Sequence, residues 1–339
     1  MPDRPAGPDP LLWLNAADVV AALPPLADRL RLAEQTMTAL AKPGGSQLPP
    51  KVGVHPRPAG SLTDSMPAWL RGPGNGADTH GDLLGLKWVT VFPTNALLGI
   101  PAIGATVIIN DPATGLPVAI LDGGPITAHR TAAVSGVVLR RWAPAVAGRP
   151  LRVALIGAGA QGHSHLPVIG GILPGSLLAV YDSDTGRAGA LADQARATAG
   201  IADVTVAPDA RAAISPADVV ITAASFGPVR QVMTNAWLAE TVTVVPVDYA
   251  TYCAAEVARD AALFMTDERR QFLAKRDEGL FDDYPDPPLT IGEAILSATP
   301  RPAGRVVASH LGVGLADLIF GDAIVREARR LGLGTPLPR

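Results

Sequence analysis

A glycine-rich turn at residues 157–162 has the residue types and spacing needed to hold a dinucleotide phosphate. Its sequence, GAGAQG, follows an apolar run and opens a segment of helical composition. In such a turn the first glycine makes a tight bend, the second lets a pyrophosphate approach the backbone, and the third lets helix and strand pack closely. The helix N-terminus then stabilises the phosphate charge. The pattern predicts dinucleotide binding by Gly157, Gly159, Ala160, Gln161 and Gly162.

An acidic residue, Asp182, stands 20 residues beyond Gly162, at the end of the next apolar run, LLAVYD. A carboxylate there accepts hydrogen bonds from the adenosine ribose and repels a 2′-phosphate, which favours NAD over NADP. Arg187 nearby is a cation that argues the other way. The alternative is a glycine-rich turn that binds no nucleotide. Further candidate cofactor contacts are Ser183, Ala223 and Ser225.

Three charged residues have apolar surroundings, where an unpaired charge is costly. Lys87 lies in LGLKWVTVFP, Arg130 in ITAHRTAAVSG and Asp248 at the end of TVTVVPVDYA. Each is therefore expected either to face a cleft or to form an ordinary structural ion pair. Asp248 also follows an apolar strand, so it is predicted at the carboxyl edge of a parallel sheet, where ligands bind.

The elements that must position these residues fall into two groups. Residues 11–42 have helical periodicity, 43–82 have the composition of loops and short strands, and 83–127 are β-rich. A helical segment at 126–143 precedes an alternation of helices with strands, and a final helix is predicted over 312–334. The strands of that alternation are predicted at 152–157, 177–182, 203–206, 218–223, 242–247 and 262–266.

This alternation of strands and helices predicts an α/β protein with a Rossmann-type, doubly wound parallel sheet and a smaller α+β domain. We expect a first domain over residues 1–128 and an NAD-binding domain over 129–307. Residues 308–339 are expected to form a C-terminal helix that returns to the first domain.

Composition excludes several classes of protein. A net charge of −3 with no basic block argues against nucleic-acid binding. No apolar segment is long enough to predict a membrane span, and the N-terminus lacks the apolar core of a signal peptide. A single cysteine, Cys253, permits no internal disulfide, so a reducing, cytoplasmic location is expected.

Other reactive side chains favour structural interpretations. His163 and His165 are two apart, a spacing that does not place them on one helix face, so no metal site is predicted. Cys253 has no evident base partner and is interpreted as a small buried residue. The acidic segment FDDYPDPP, residues 281–288, is interpreted as a solvated loop, with a substrate or metal contact as the alternative. Motifs of zinc and serine hydrolases are absent from the sequence.

Over residues 40–335 the chain resembles the ornithine cyclodeaminase/mu-crystallin family. The resemblance is carried by Met66-Pro67, GLKWVTVFPTN, LDGGPITAHRTAA, GAGAQG and LGVGLADLIFGDAI, in the family's order. It implies an NAD(P)-dependent enzyme that acts on amino acids or their imines. It also implies that the first domain, residues 1–128, binds the substrate and forms a homodimer. It also implies that Lys87 and Arg130 bind the substrate carboxylate, while Asp248 handles the amine protons.

Three features depart from the family pattern. An upstream arginine that contacts the carboxylate is matched by Lys51, which keeps the charge but lacks the planar two-pronged donor. The family's Pro-Gly-Lys run after the aspartate is replaced by residues 249–252, YATY, and residues 71–82 are an insertion.

The resulting hypothesis is an oxidoreductase that transfers hydride between NAD and Cα of an amino acid or its imine. Lys87 and Asp248 are the predicted catalytic residues, and Arg130, Lys87 and Lys51 the predicted substrate contacts. Two alternatives stay open: a cyclodeaminase that releases ammonia with no net redox change, and a non-catalytic NAD(P)H-binding protein. A small amino or imino acid is the expected substrate.

Overall fold

The computed structural model describes residues 10–225 and 230–338, except for the side chain of residue 96. Its described residues form two compact units. Unit 1 groups the described residues within Met1–Pro25, Pro43–Thr127 and Gly314–Arg339, and unit 2 groups those within Leu26–Lys42 and Ala128–Val313.

The strands, in chain order, are β1 (Leu11–Leu14), β2 (Ser46–Gln47), β3 (Val52–Val54), β4 (Leu62–Leu70), β5 (Leu83–Val91), β6 (Ile103–Asn110), β7 (Pro117–Asp122), β8 (Arg152–Ile156), β9 (Ser176–Tyr181), β10 (Ile201–Val206), β11 (Val219–Thr222), β12 (Thr243–Pro246), β13 (Leu263–Thr266), β14 (Leu289–Thr290), β15 (Val306–Ser309) and β16 (Thr335–Leu337). The α-helices are α1 (Ala16–Ala21), α2 (Leu26–Ala41), α3 (Gly123–Trp142), α4 (Ala160–Ile172), α5 (Thr185–Arg196), α6 (Ala210–Ile214), α7 (Ala255–Arg259), α8 (Arg269–Asp277), α9 (Ile291–Leu296) and α10 (Gly314–Leu331). Short 3₁₀ helices cover Pro93–Leu98 and Asn235–Trp237.

Unit 1 is built on a mixed sheet in the order β16-β1-β7-β6-β5-β4-β2, with β3 also paired to β4. The long central strands β4, β5 and β6 are antiparallel, and Met66 lies directly opposite Lys87. Helix α10 packs on the face that carries Gly85: a Cβ added there would lie 3.0 Å from Cδ2 of Leu318. Strand alternation therefore directs Lys87 toward α10 and Trp88 to the opposite face.

Unit 2 contains a parallel sheet in the order β10-β9-β8-β11-β12-β15-β13-β14. Its central strands β11, β12, β13 and β15 are buried along their whole length, as expected for a parallel sheet covered on both faces. The chain order reverses between β8 and β11, which creates the switch point where doubly wound folds bind ligands. The predicted α/β, Rossmann-type fold class is confirmed.

Several predicted elements differ from the structure. Residues 11–14 form a strand that pairs with β7 and β16. The helix starts only after Asn15, whose Oδ1 accepts hydrogen bonds from the N–H groups of Ala17 and Asp18. Residues 62–70 form a nine-residue strand where loops and short strands were expected. The last helix ends at Leu331 and a strand follows it, whereas a helix was predicted to residue 334.

Grouping of the chain also differs from the expected boundaries. Residues 26–42 belong to unit 2, whereas the sequence placed them in a first domain over 1–128. Helix α2 packs against α9 so closely that a Cβ on Gly292 would lie 1.9 Å from the carbonyl oxygen of Met37. Unit 2 extends to Val313, and residues from Gly314 onward group with unit 1. The assignment of substrate binding and dimerisation to the first domain stays a prediction.

Candidate active site

The glycine turn follows β8 directly, as the sequence predicted. Gly157 has φ +104°, a conformation that favours glycine, and a Cβ there would lie 2.3 Å from the carbonyl oxygen of Ala223. A Cβ on Gly162 would lie 2.3 Å from the Gly157 carbonyl oxygen, so α4 packs against the turn with no room for a side chain. Both glycines are therefore required by close backbone approach.

Gly159 has a different environment. It precedes α4, and no described atom lies within 4 Å of the position a Cβ would take. Its N-cap residue, Gly159, has no side chain and so makes no side-chain cap hydrogen bond to the first turn of α4. This opening at an uncapped helix N-terminus, beside Ala160 and Gln161, fits the pyrophosphate of a dinucleotide.

Asp182 follows β9 and holds the turn in place. Its Oδ2 accepts a hydrogen bond from the Ala158 N–H (2.7 Å) and its Oδ1 accepts one from the Asp184 N–H (2.9 Å). Each carboxylate oxygen keeps a second lone pair that can accept a ribose hydroxyl. Arg187 pairs with Asp184 (3.5 Å), while Ser183 is exposed at the same edge.

Asp248 lies at the carboxyl edge of the same sheet, two residues beyond β12. Its Oδ1 accepts from the Thr222 hydroxyl (2.8 Å) and its Oδ2 from the Ala224 N–H (3.1 Å). Burial raises the pKa of Asp248 to about 7, while the hydrogen bonds from Thr222 and Ala224 act in the opposite direction. A carboxyl group with this pKa can both donate and accept a proton near neutral pH.

The segment after Asp248 departs from ordinary backbone geometry. Tyr249 has φ +58°, in the left-handed region. Its ring lies 5.5 Å from that of Phe281, whose neighbour Tyr284 donates its hydroxyl proton to the Cys253 carbonyl (2.6 Å). Residues 281–284 are thus partly core, which corrects the interpretation of 281–288 as a solvated loop: Phe281 and Tyr284 are buried.

Arg130, on α3, is buried against a glycine. A Cβ added to Gly312, which has φ +79°, would lie 2.2 Å from Nη1 of Arg130. The backbone of Gly312 is held from both sides, because its N–H donates to Asp267 Oδ2 (2.7 Å) and its carbonyl accepts from Gln271 Nε2 (3.0 Å). The Arg130 guanidinium therefore packs directly against the Gly312 backbone.

Replacing Gly312 with alanine is expected to destabilise the protein and displace the Arg130 guanidinium. A left-handed conformation costs a non-glycine residue about 1–3 kcal/mol, and the steric overlap with Arg130 adds to that. Gly115→Ala is the matched control, since Gly115 has φ +75° and no described atom within 4 Å of its Cβ position. Urea unfolding should show a larger loss for Gly312→Ala; equal losses would mean that the guanidinium moves aside freely.

Lys87 lies in unit 1, where its ammonium contacts the buried Asp317 and the half-buried Thr127. Its Nζ lies 2.7 Å from Oγ1 of Thr127 and 3.2 Å from Oδ1 of Asp317, and both charged side chains are at most 1% exposed. The Thr127 hydroxyl in turn donates to the Gly123 carbonyl (2.6 Å). The ammonium is thus held at one position by α3 and α10, which the sequence did not predict.

Lys51 lies in the same row of the unit 1 sheet as Lys87. It directly precedes Val52, which pairs with Ser65 on β4, so it stands at the level of Met66, and Met66 pairs with Lys87 on β5. Two strand spacings, roughly 10 Å, separate their backbones. The structure therefore places Lys51 and Lys87 in one row of the sheet.

The remaining candidate residues take structural positions. His163 Nδ1 contacts Oε1 of Gln194 near the surface, while His165 is buried, so the two histidines diverge. Burial raises the pKa of Cys253 to about 12, which leaves almost no thiolate at neutral pH. Ala223 is buried beside Gly157 and Ser225 is exposed. Within 10–225 and 230–338, no helix has the length and apolarity to cross a membrane.

Sequence reasoning missed the groups that hold the candidate residues. Asp248 is held by Thr222, Lys87 by Thr127 and Asp317, and Arg130 by Gly312. No local pattern marks these contacts, because the partners are far apart in the sequence: Asp317 is 230 residues from Lys87. The repeated small-residue pattern LGVG at 311–314 is the one clue that a close backbone approach occurs there.

Known proteins resemble the chain in sequence and in fold. Nodulation efficiency protein NfeD of Rhizobium meliloti is 32% identical over 333 residues, which is 96% of this chain and 98% of that protein. Delta(1)-pyrroline-2-carboxylate reductase 2 of Burkholderia ambifaria is 33% identical over 168 residues, half of each chain. The structure of Thermococcus litoralis Delta(1)-pyrroline-2-carboxylate reductase in complex with NADH and L-proline superposes with a TM-score of 0.83 at 22% identity, covering 96% of this chain and 100% of that one.

A sequence model of the ornithine cyclodeaminase/mu-crystallin family matches residues 17–270. This match spans the predicted substrate segments and the glycine turn, and the similarity to the Rhizobium protein extends over nearly the whole chain. The chain therefore belongs to the ornithine cyclodeaminase/mu-crystallin family.

Proposed function

We propose that the protein is an NAD-dependent oxidoreductase that interconverts an amino acid and its imine by hydride transfer at Cα. One observation carries the proposal: the Ala223–Ala224 segment contacts both the dinucleotide turn, at Gly157, and the Asp248 carboxylate. The Asp248 carboxyl group, with a pKa of about 7, is thus connected to the candidate dinucleotide turn through the Ala223–Ala224 backbone. Relatives that are pyrroline-2-carboxylate reductases support the same chemistry.

The residues of unit 2 fit a dinucleotide at the glycine turn. Gly159 leaves space for a phosphate, Gly157 and Gly162 allow the close packing of the turn, and Asp182 offers acceptors for the ribose. NAD, when bound, supplies the hydride acceptor or donor. The protein's part is to hold the reacting carbon near that group and to move the proton.

Asp248 is the proposed acid and base. Its carboxylate would accept a proton from the substrate ammonium in oxidation, and its protonated form would donate to the imine nitrogen in reduction. Arg130, Lys87 and Lys51 remain our candidates for binding the substrate carboxylate, on the strength of the family resemblance.

Absorbance of NADH with a panel of cyclic imines, amine-derived imines and amino acids tests the proposal. Net NADH consumption or formation with one substrate is the expected result. Ammonia release without a net change in NADH would instead identify the cyclodeaminase alternative, and NADH binding without turnover would identify a binding protein. A cytoplasmic location, expected from the single cysteine, stays a prediction.

Asp182 is expected to make the protein prefer NADH over NADPH, because a carboxylate near the ribose repels a 2′-phosphate. Asp182→Ala should weaken NADH binding and narrow the difference between the two dissociation constants, both measured by fluorescence titration. Asp203→Ala, on the exposed side of β10, is the control. Equal or tighter NADPH binding by the unaltered protein would exclude the NAD assignment.

Homodimer formation through unit 1 is a further part of the proposal. The unit exposes apolar side chains on β3, on β5 and around the 3₁₀ helix; they are Val52, Val54, Trp88, Leu97, Leu98, Ile100 and Ile103. Clusters of this kind mark association surfaces. Sedimentation should give twice the 34.9 kDa chain mass, and Leu97→Asp should shift it toward the monomer while Val206→Asp does not. A monomer at micromolar concentration would contradict the dimer.

A further inference from the structure

Unit 2 contains a buried chain of hydrogen bonds centred on Ser135 of α3. The Ser135 Oγ lies 2.8 Å from Nε2 of His165 on α4 and 2.9 Å from Nε2 of His310, which follows β15. The Nδ1 atom of His165 lies 2.6 Å from the carbonyl oxygen of Gln161. All three side chains of this set, Ser135, His165 and His310, are at most 2% exposed. We call the set the Ser135 relay.

The direction of each hydrogen bond follows from the chemistry of the partners. The Gln161 carbonyl can only accept, so His165 Nδ1 carries a proton. Burial lowers the pKa of His165 to about 4, so the ring is neutral and its Nε2 must accept a proton from the Ser135 hydroxyl. The Ser135 oxygen is then left to accept from His310 Nε2–H. Its 3.4 Å separation from the Thr131 carbonyl is too long to compete.

One end of the relay reaches the dinucleotide turn. Gln161 is the second residue of α4, in the turn of helix that follows Gly159. Its carbonyl oxygen accepts a hydrogen bond from His165 Nδ1. The relay therefore fixes the orientation of the Gln161–Gly162 peptide group in the first turn of α4.

The other end reaches the surroundings of Arg130. His310 is two residues before Gly312, whose backbone supports the Arg130 guanidinium. Burial lowers the pKa of His310 well below its usual value, and the nearby His165 and the positive charge of Arg130 lower it further. Its Nδ1 is a buried lone pair that accepts no hydrogen bond from any described residue. Ser135 lies on the same helix as Arg130.

We propose that the Ser135 relay positions the site: its three side chains hold the first turn of α4, the helix after the glycine turn, in a fixed orientation relative to Arg130. Three polar groups in an apolar interior carry a desolvation cost that apolar side chains of similar volume avoid. Directional hydrogen bonds supply what apolar packing does not, a single defined orientation of two neighbouring elements. The proposal rests on the proposed function, in which the dinucleotide and the substrate carboxylate bind at these two places.

Ser135→Ala is the first test, because it leaves His165 Nε2 and His310 Nε2–H without their shared partner. A lost hydrogen bond with both partners buried corresponds to roughly three- to tenfold in an equilibrium constant. We therefore expect the dissociation constant for NADH to rise by about that factor. Ser164→Ala is the matched control: Ser164 lies on α4 and donates to the same Gln161 carbonyl (3.0 Å) but is outside the relay. An unchanged dissociation constant in Ser135→Ala, or an equal rise in both variants, would overturn the proposal.

A double-mutant cycle with Arg130→Lys separates positioning from general stability. If the relay acts through Arg130, Ser135→Ala should lower kcat/KM for the imino acid about tenfold in the unaltered protein and by less than about threefold in the Arg130→Lys background. Equal factors in both backgrounds would show that Ser135 contributes only to packing.

Two His310 variants keep the test usable if Ser135→Ala fails to fold. Glutamine can place its amide N–H near the position of the histidine Nε2–H, whereas phenylalanine cannot donate. His310→Gln should retain NADH affinity within about twofold, and His310→Phe should lose it as Ser135→Ala does. Equal affinities of the two variants would contradict a role for the donor.

Histidine tautomers give a readout that requires neither cofactor nor turnover. Long-range proton–nitrogen NMR spectra of the whole protein should show His165 protonated at Nδ1 and His310 at Nε2. The opposite tautomer at either ring would refute the relay itself. If the tautomers are as expected but no imine or amino acid is turned over, the proposed function fails while the hydrogen-bond chain stands.

Discussion

Asp248→Asn is expected to lower kcat by at least two orders of magnitude while leaving NADH binding unchanged. General acid–base catalysis contributes about 10²–10⁴-fold, and asparagine keeps the size of the side chain but cannot carry the proton. The Ala224 N–H can still donate to the amide oxygen, and the Thr222 hydroxyl can rotate to accept from the amide NH₂. Steady-state kinetics on the substrate found with the NADH assay provide the measurement.

Asp218→Asn is the matched control for this change. Asp218 is also largely buried, but it precedes β11 and pairs with Arg149 (2.7 Å) at the amino edge of the sheet. It should lose stability without losing kcat. A kcat within threefold of the unaltered protein for Asp248→Asn would show that another group transfers the proton, and Lys87 would be the next residue to test.

The pH dependence of the reaction gives a second check on Asp248. Burial raises its pKa to about 7, so the protonated form predominates below pH 7 and the carboxylate above it. Imine reduction needs the acid, and its rate should fall as the pH rises through 7. Amine oxidation needs the base, and its rate should rise over the same range. Both limbs should disappear in Asp248→Asn; a limb that persists there belongs to another group.

Lys87→Met is expected to cost both stability and activity, for separable reasons. The Lys87–Asp317 pair is fully buried, and removing one partner leaves an uncompensated charge, which costs about 3–5 kcal/mol. If Lys87 also binds the substrate carboxylate, losing that charged hydrogen bond removes roughly 1.5–3 kcal/mol of binding, or about ten- to a hundredfold in kcat/KM. Urea unfolding and steady-state kinetics measure the two losses independently.

The double variant Lys87→Met/Asp317→Leu separates the two roles. Replacing a whole buried ion pair by apolar side chains is often neutral or stabilising, and Thr127 keeps its hydrogen bond to the Gly123 carbonyl. We expect stability to return to within about 1 kcal/mol of the unaltered protein while kcat/KM stays low. Recovery of activity together with stability would mean that Lys87 is a structural ion-pair partner only.

The parallel-sheet half of the protein could be predicted well because its signals are local. A strand buried on both faces is a short continuous apolar run, and β8 to β13 were each expected within two residues of their observed bounds. The glycine turn needs only six consecutive residues, and Asp182 and Asp248 are marked by the apolar strands that precede them. Sheet geometry then places such residues at one edge without further information.

Elements with weak local signals were missed or assigned differently. Residues 11–14, LLWL, run into a helical segment with no break before Asn15, so their pairing with β7 and β16 decides that they form a strand. Strand β15 is only four residues long, VVAS, and lies between β12 and β13, out of chain order. In both cases the partner strands, rather than the local periodicity, select the conformation.

The sequence by itself determined the fold class, the dinucleotide turn and the residue types able to bind a carboxylate or move a proton. Tertiary structure alone decided how those residues are held. Asp317 meets Lys87 across 230 residues, and Gly312 supports Arg130 from the far end of unit 2. Ser135 joins His165, 30 residues away, to His310, 175 residues away. Hydrophobic periodicity and turn chemistry act over a few residues, whereas the partner of a buried charge or histidine depends on which elements the completed core brings together.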